Sequence, residues 1–257
     1  YFGALQCMKL LKDLGIEKDI IIAETESIFY NCSKVGEAKV WNKGQKNNIL
    51  VSVFGEKNKK EAINKLQTIY PQLIPAKNVL ETTLSNINSL LHPESVLLNL
   101  YKVERKYYPF DEKFNMRSLK AYDLTPGMAR FVNQIDIERL SLGKKLGITL
   151  NDLRNTLMVW YDSKGKDLYE TINNCYAFQI QGATTSFDNR YITEDIPFGL
   201  IPCVLLGEQI GVPMENMRAL TTIGCGIADR DFWQEGLNLD KIGLKDKNLQ
   251  EILDCLQ

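Results

Sequence analysis

The length and composition of this chain are those of an ordinary globular protein. It has 257 residues, 44% of them hydrophobic and 25% charged, so it can bury a core as one large or two modest domains. A collagen-like, low-complexity or wholly disordered chain is excluded. Because 31 Lys and Arg residues are balanced by 32 Asp and Glu residues, we expect no nucleic-acid binding through a broad basic face. No apolar run approaches the roughly 18–20 residues of a membrane-spanning helix, and we expect neither a membrane partner nor a secretory leader.

The cysteines are widely spaced and form no C-x-x-C pair, which argues against zinc-ribbon and thioredoxin-like motifs. We therefore expect no metal site. The spacing predicts reduced, mostly buried thiols of a cytoplasmic protein, with a disulfide framework as the alternative. The six are Cys7, Cys32, Cys175, Cys203, Cys225 and Cys255.

The first 85 or so residues alternate strand-like and helix-like patterns. Helical spacing of apolar residues predicts helices at Ala4–Leu14 and Lys57–Leu66. Short apolar or alternating runs predict strands, which are Asp19–Ala23, Glu37–Trp41, Asn48–Phe54 and Asn78–Thr83. Alternation at this spacing indicates an α/β arrangement with helices over a sheet.

After Ser85 the pattern becomes helical and is punctuated by proline and glycine. We place the domain boundary between Asn86 and His92 and expect an all-helical second half. Helices are predicted at Pro93–Glu104 with Pro93 near the first turn, at Thr125–Leu146 with Thr125 as N-cap, at Pro197–Ile210 and at Met214–Ile227.

The chain's single histidine, His92, lies at this predicted junction, where clefts of two-domain enzymes commonly form. An imidazole with an ordinary pKa of roughly 6.5 can exchange protons near neutrality. The alternative is a histidine that only packs at a helix start beside Pro93.

A second candidate segment is the polar run that begins at Arg190. The guanidinium of Arg190 suits a carboxylate ligand, and Asp195 could orient a histidine that acts as acid or base. The alternative is a local helix-start cluster, in which Arg190 neutralises Glu194 and Asp195 while these acids favour the helix dipole.

The sequence contains no convincing phosphate-binding loop. Gly224-Cys225-Gly226 begins like a dinucleotide-binding G-x-G-x-x-G, but the third glycine is missing and a helical pattern precedes it. Neither a P-loop nor a G-x-S-x-G elbow is present.

Four segments together resemble the octopine/nopaline (opine) dehydrogenase family. They are AETESIFYNC at Ala23–Cys32, SNINSLLHPESVLLN at Ser85–Asn99, DIERLSLGKKLG at Asp136–Gly147, and the run from Arg190 to Leu220 that begins RYITEDIPFGLIP. The resemblance covers essentially the whole chain. It is most specific in the His-Pro helix start and in the R-Y-x-x-E-D-I-P run.

The resemblance implies an α/β plus all-α fold. Residues 1–88 would form the second half of a Rossmann-type parallel sheet layer. Residues 89–257 would form a helical domain like that of 6-phosphogluconate dehydrogenase. The activity implied is NAD(P)H-dependent reduction of the imine formed between an amino acid and an α-keto acid.

The family's functional residues map onto four positions. By resemblance, His92 is the acid/base residue, Asp195 pairs with it, and Arg190 binds a substrate carboxylate. Thr25 would lie near the keto-acid end of the cleft, after the DIIIA run, which agrees with ligand binding at the carboxyl ends of strands.

The resemblance also implies a preceding βαβ unit with the glycine fingerprint, ahead of Tyr1. NAD or NADP would be held mainly by that unit, so we expect the chain alone to bind the cofactor weakly. Glu235-Gly236-Leu237-Asn238 stands where the family commonly has a G-R-T-like run, and no role is carried over to it.

Two other functions stay open at this point. One is reduction of a simple 2-keto acid with no amine partner, and the other is a non-catalytic helical interaction or dimerisation protein that has lost cofactor binding. For the enzyme, the expected partners are an amino acid and an α-keto acid; a homodimer is left open.

Overall fold

The computed structural model describes residues 1–16, 20–55, 58–104, 124–179 and 186–256. A small layer of strands and helices comes first and a helical region follows. The layer contains α1 (Gly3–Asp13), β1 (Ala23–Thr25), β2 (Tyr30–Gly36), β3 (Lys39–Gln45), β4 (Ile49–Val53), α2 (Lys59–Ile69) and β5 (Leu73–Pro75). Two predicted elements begin at Asp19 and Lys57, which lie outside the described residues.

The helical region begins at α3 (Val79–Ser85), and no strand follows it among the described residues. Its further elements are α4 (Asn88–Leu97), α5 (Leu100–Val103), α6 (Pro126–Lys145), α7 (Leu153–Tyr161), α8 (Leu168–Asn174), α9 (Tyr176–Gln179), α10 (Arg190–Thr193), a π-helical turn (Ile196–Leu200), α11 (Ile201–Gln209), α12 (Glu215–Ala228), α13 (Phe232–Glu235) and α14 (Leu249–Asp254). The predicted class, α/β plus helical, is confirmed.

The sheet is mixed, whereas the resemblance implied a parallel layer. Its order is β1-β4-β5, with β1 antiparallel to β4 and β4 parallel to β5. The strands β2 and β3 form a separate antiparallel hairpin between β1 and β4. The chain leaves the sheet through this hairpin and returns in the opposite direction, so β4 pairs antiparallel to β1.

Three local predictions need correction. The segment Asn78–Thr83 is not a strand, because the Asn78 side chain caps α3 by accepting hydrogen bonds from the backbone N–H groups of Leu80 and Glu81, both at 3.1 Å. The DIIIA run does not form a buried strand. Since β1 begins at Ala23 and lies at the edge of the described sheet, Ile20 and Ile21 are about half exposed.

Pro93 lies inside α4 and not in its first turn. The helix starts earlier because other groups satisfy its first N–H groups: Asn86 Oδ1 accepts from the Asn88 N–H at 3.0 Å, and the Tyr1 hydroxyl accepts from the Ser89 N–H at 2.9 Å. The predicted helix to Glu104 is also divided, since α4 ends at Leu97 and α5 follows.

Most buried apolar side chains belong to one core. It runs from Phe2 and Leu5 at α1 through the helical region to Ile252 in α14. A second, smaller cluster of buried apolar side chains lies at the sheet and includes Ile49 and Val51 of β4. Because α1 shares the helical core, the layer and the helices pack together; the predicted division at residue 88 stays a prediction.

A buried ion pair ties α6 to its neighbours. Arg139 donates to Asp136 Oδ1 at 2.8 Å, to the Leu84 carbonyl at 2.8 Å and to the Asn151 carbonyl at 2.7 Å. Asp136 Oδ2 accepts from the Leu153 N–H at 2.7 Å. The pair therefore joins the ends of α3 and α7 to α6.

Two further predictions concern membrane-spanning helices and the burial of the thiols. Among the described residues, none of the helices combines the length and apolar content needed to cross a bilayer. All six cysteines are free, and Cys7 and Cys32 are exposed, so the prediction of mostly buried thiols is wrong for these two.

Candidate functional site

The side chains of His92 and Asp195 meet although 103 residues separate them. His92 Nδ1 lies 2.6 Å from Asp195 Oδ2, and both residues are buried, with 6% and 5% of their surface exposed. A buried carboxylate needs a donor to offset its lost hydration, and the imidazole supplies one. The predicted proximity of the two side chains is therefore present in the structure.

Tyr191 contacts the same imidazole from another side. Its ring stacks on that of His92, with centroids 3.8 Å apart and planes 6° from parallel. Tyr191 precedes Asp195 by four residues, the spacing that places two side chains on one helix face. One face thus supplies the carboxylate and the aromatic ring that fix the imidazole orientation. Sequence reasoning missed Tyr191, and this spacing was the available signal.

Local capping sets where this face begins. Asn189 Oδ1 accepts a hydrogen bond from the Tyr191 N–H at 3.0 Å, so α10 starts at Arg190. Asp195 lies two residues after the end of α10 and immediately precedes the π-helical turn. The short helix packs against α4, which carries His92.

His92 borders a cavity of about 260 Å³. Apolar and aromatic side chains form much of its wall, namely Ile28, Ile87, Leu91, Trp160, Tyr161, Phe178 and Tyr191. Polar groups reach it from Ser27, Asn31, Cys32, Lys46, Asn88, His92 and Arg190. None of the described residues that line the cavity is an Asp or a Glu.

Arg190 lines this cavity and also forms a local ion pair. Its Nε lies 3.5 Å from Glu194 Oε2, and 61% of its side chain is exposed. Arg190 therefore has both predicted positions: it lines the cavity, and it pairs with an acid at the start of a helix. An exposed pair of this kind is worth at most about 1 kcal/mol, so a bound carboxylate can displace Glu194.

Thr25 does not line the cavity that His92 borders. It lies on β1 opposite Val51 and is absent from the cavity wall, which the chain reaches two residues later at Ser27 and Ile28. A substrate contact by Thr25 stays a prediction.

Lys46 is a cavity residue that sequence reasoning missed. Its buried Nζ donates to Ser27 Oγ at 2.6 Å and to the Ile28 carbonyl at 2.9 Å, and it lies 4.2 Å from the centre of the Trp160 ring. Burial lowers the pKa of Lys46 to about 8, and the nearby Glu26 carboxylate opposes this shift. No local pattern marks this lysine, since its burial depends on the return of the β2–β3 hairpin.

Glu26 lies behind Lys46 and outside the cavity wall. Its Oε1 accepts from the Leu50 N–H at 2.8 Å and from Trp160 Nε1 at 3.2 Å. Burial raises the pKa of the Glu26 carboxyl. Glu26 thus positions the indole that forms part of the cavity wall.

Glu94 is a buried carboxyl close to the pair. It is fully buried, and neither oxygen has a hydrogen-bond partner among the described residues. Burial, and next the negative charge of Asp195, raise the pKa of Glu94 well above its ordinary value. A neutral Glu94 leaves Asp195 without a second negative charge beside it.

Comparison with known proteins places this geometry in a family context. A family model described as "NAD/NADP octopine/nopaline dehydrogenase, alpha-helical domain" matches residues 75–228. An opine dehydrogenase of Arthrobacter sp. strain 1C is 26% identical over 242 residues, which are 94% of this chain and 65% of the relative. The chain thus spans slightly less than two thirds of that relative. A vitopine synthase of Allorhizobium ampelinum is 21% identical over 254 residues, 98% of this chain and 68% of the relative.

The fold is also similar to that of solved structures. An octopine dehydrogenase in complex with NADH and L-arginine superimposes with a TM-score of 0.73 at 18% identity, over 98% of this chain and 68% of that one. At this identity the likeness concerns the fold, and it agrees with an α/β layer joined to a helical region.

Proposed function

The chain belongs to the octopine/nopaline dehydrogenase family, and on that premise we propose that its parent protein is an opine dehydrogenase-type oxidoreductase. It would use NADH or NADPH to join an amino acid to an α-keto acid through an imine, acting on a CH–NH bond. The observation that carries the proposal is the buried His92–Asp195 pair at a cavity that Arg190 also lines.

His92 is the proposed acid/base residue. Because Nδ1 is engaged with Asp195 at 2.6 Å, exchange with substrate falls to Nε2. In the condensation, the imidazole would take a proton from the amine nitrogen and give one to the departing hydroxyl of the carbinolamine, so that water leaves and the imine forms. Asp195 would fix the tautomer and stabilise the imidazolium, and positioned groups of this type contribute about 10²- to 10⁴-fold to rate.

Arg190 is the proposed anchor of the keto-acid carboxylate. A guanidinium offers paired N–H donors that match a carboxylate. Its position on the cavity wall with His92 would hold the carbonyl carbon near the imidazole. The apolar wall would exclude water and so strengthen the charge interactions inside.

The Gly224-Cys225-Gly226 run does not fit the pyrophosphate of a dinucleotide. Gly224 and Gly226 lie within α12, and a Cβ on Gly224 would be 2.3 Å from Ile196 Cδ1, so this glycine allows close helix packing and forms no phosphate turn. This run is therefore not assigned to cofactor binding. The proposed cofactor, NAD or NADP, rests on family membership.

The test uses the protein from the complete gene with pyruvate, a panel of amino acids and NADH or NADPH. We expect oxidation of the reduced cofactor only when both substrates are present, with a secondary-amine dicarboxylate as the product in mass spectrometry. Formation of a 2-hydroxy acid from pyruvate alone would replace the proposal with a simple keto-acid reductase. No turnover with any substrate pair would favour a non-catalytic protein.

Variants test the assigned roles. His92→Ala should lower kcat about 10²- to 10⁴-fold, and Arg190→Ala should mainly raise the KM for the keto acid. Arg218→Ala is the matched control, since Arg218 also pairs with a carboxylate, that of Glu208 at 2.5 Å, but lies outside the cavity wall. Unchanged kcat in folded His92→Ala would refute the acid/base role.

A further inference from the structure

The cavity beside His92 presents positive charge from two directions. Lys46 and Arg190 both line it, and no Asp or Glu does among the described residues. Two nearby acids are engaged elsewhere: Glu26 accepts from a backbone N–H and the Trp160 indole, and Asp195 accepts from His92. A third, Glu194, lies outside the wall and forms only an exposed ion pair with Arg190. A ligand with two negative groups therefore matches the cavity better than a cation.

We propose that Lys46 binds the α-carboxylate of the amino-acid substrate and that this amino acid has a neutral, apolar side chain. The inference rests on the proposed function. It adds a second carboxylate-binding residue and a substrate class to the site.

The chemistry of the proposed product requires two anion-binding groups. Condensation of an amino acid with an α-keto acid releases water and gives an imine, and reduction of the imine by NADH or NADPH gives a secondary amine with one carboxylate on each flanking carbon. Arg190 is suited to one carboxylate and Lys46 to the other, with the imidazole of His92 on the same cavity wall for the nitrogen. An amino acid and a keto acid thus each have a cationic anchor.

Lys46 retains donor capacity for such a ligand. An ammonium has three N–H donors, and the described residues provide two oxygen acceptors, Ser27 Oγ at 2.6 Å and the Ile28 carbonyl at 2.9 Å. These two bonds hold the ammonium at the wall, and the Trp160 ring beside it limits its rotation. A carboxylate would complete its coordination and offset the cost of burying the charge.

The walls favour an apolar side chain on the amino acid. Ile28, Leu91 and Phe178 offer apolar surface. A guanidinium or ammonium on the substrate would meet Lys46 and Arg190 without a carboxylate on the wall to balance it. Among its described residues, the cavity wall therefore lacks the carboxylate that a basic amino-acid side chain would need.

The alternative is that Lys46 only ties the end of β3 to Ser27 and Ile28. Removal of the charge would then weaken the fold and affect every ligand alike. A direct contact affects only ligands that carry the amino-acid carboxylate, so a set of ligands distinguishes the two.

The experiment measures calorimetric affinities of the complete protein for three compounds. N-(1-carboxyethyl)leucine has both carboxylates, N-(1-carboxyethyl)isopentylamine lacks the leucine carboxylate, and N-ethylleucine lacks the other one. Lys46→Met should weaken the dicarboxylate about 10- to 100-fold, the usual loss for a hydrogen bond to a charged group. It should leave N-(1-carboxyethyl)isopentylamine unchanged. Arg190→Ala should spare N-ethylleucine instead.

Lys43→Met is the matched control. Lys43 is a buried lysine of β3, the strand that ends one residue before Lys46, and it does not line the cavity. Lys43→Met should leave unchanged the ratio of the affinities for N-(1-carboxyethyl)leucine and N-(1-carboxyethyl)isopentylamine. An equal loss for both ligands in Lys46→Met would overturn the inference, and so would binding of N-(1-carboxyethyl)arginine as tight as that of the leucine compound.

The pH dependence of ligand binding by the wild-type protein tests the inference without any variant. Because the pKa of Lys46 is about 8, the preference for the dicarboxylate over N-(1-carboxyethyl)isopentylamine should fall as the pH rises through and beyond that value. The Glu26 carboxylate opposes the lowering of the Lys46 pKa, and a bound carboxylate should shift the fall to higher pH. The other titratable groups of the wall, Cys32, His92, Tyr161, Arg190 and Tyr191, act on both ligands. A preference constant from pH 6 to 10 would contradict the inference.

The outcomes separate this inference from the proposed function. Condensation activity with an unaltered ligand ratio in Lys46→Met would overturn the role of Lys46 alone. Absence of both condensation and binding of all three compounds would overturn the proposed function as well.

Discussion

Replacing Glu94 by Gln should change how the stability of the protein depends on pH. The carboxyl is fully buried in α4, and neither oxygen has a partner among the described residues. Its pKa is raised by burial and next by the Asp195 charge. The folded state therefore keeps this group protonated at pH values where the unfolded chain, with a glutamate pKa of about 4.3, has lost the proton.

The sign and slope follow from this difference. The contribution of the protonated carboxyl to stability is fully present below the unfolded-state pKa and is lost as the pH rises through the higher folded-state pKa. The limiting slope is about 1.4 kcal/mol per pH unit for one proton. Because glutamine cannot ionise, Glu94→Gln should match wild type near pH 4.5 and become progressively more stable than wild type above it.

Urea unfolding between pH 4.5 and 8 measures this directly, with the free energy of unfolding extrapolated at each pH. Glu215→Gln is the control, because it removes a carboxylate from the exposed first turn of α12. Parallel pH profiles of wild type and Glu94→Gln would refute the reasoning, since they would mean that Glu94 ionises equally in both states.

Two stability predictions concern packing in the helical region. Arg139→Met should lower the free energy of unfolding by about 3–5 kcal/mol, because it leaves the buried Asp136 carboxylate without its cation; a loss below 1 kcal/mol in urea unfolding would contradict this. Gly224→Ala should be less stable than Gly226→Ala by about 1–3 kcal/mol, since a Cβ at Gly224 would be 2.3 Å from Ile196 Cδ1 while Gly226 has open space. Gly226→Ala itself should gain up to about 1 kcal/mol from helix propensity, and equal melting temperatures of the two variants would refute the packing argument.

Local signals were sufficient where they agreed with one another. Thr125 and Pro126 predict the start of α6, and in the structure Thr125 accepts from the Met128 N–H at 3.3 Å while Pro126 occupies the first turn. Gly147 predicts its end, and in the structure this glycine follows the helix with a positive φ of 69°. Where signals competed, as at Asn78–Thr83, the apolar and β-branched run suggested a strand, and the capping side chain of Asn78 produced a helix instead.

The site was less accessible to local reasoning. Nothing near His92 indicates that Asp195 contacts it across 103 residues; the family resemblance supplied that expectation. Lys46 could not be found, because a lysine in a polar stretch ordinarily lies in solvent, and its burial results from tertiary contacts with Ser27 and Trp160. Sequence patterns identified residues with suitable chemistry, but they did not determine which of them share a cavity.

The π-helical turn after Asp195 makes chain length a constraint on the site. The Ile201 N–H bonds to the Ile196 carbonyl, five residues earlier, so this turn holds one residue more than an α-helical turn. Deleting a residue here would let the helix continue regularly, but it would rotate the preceding segment by about 100°. Asp195 and Tyr191 would then no longer meet the imidazole. When this protein is recombined with its relatives, insertions and deletions should therefore be kept out of the π-helical turn. The exposed tip of the β2–β3 hairpin, at Glu37 and Ala38, is a suitable place for them.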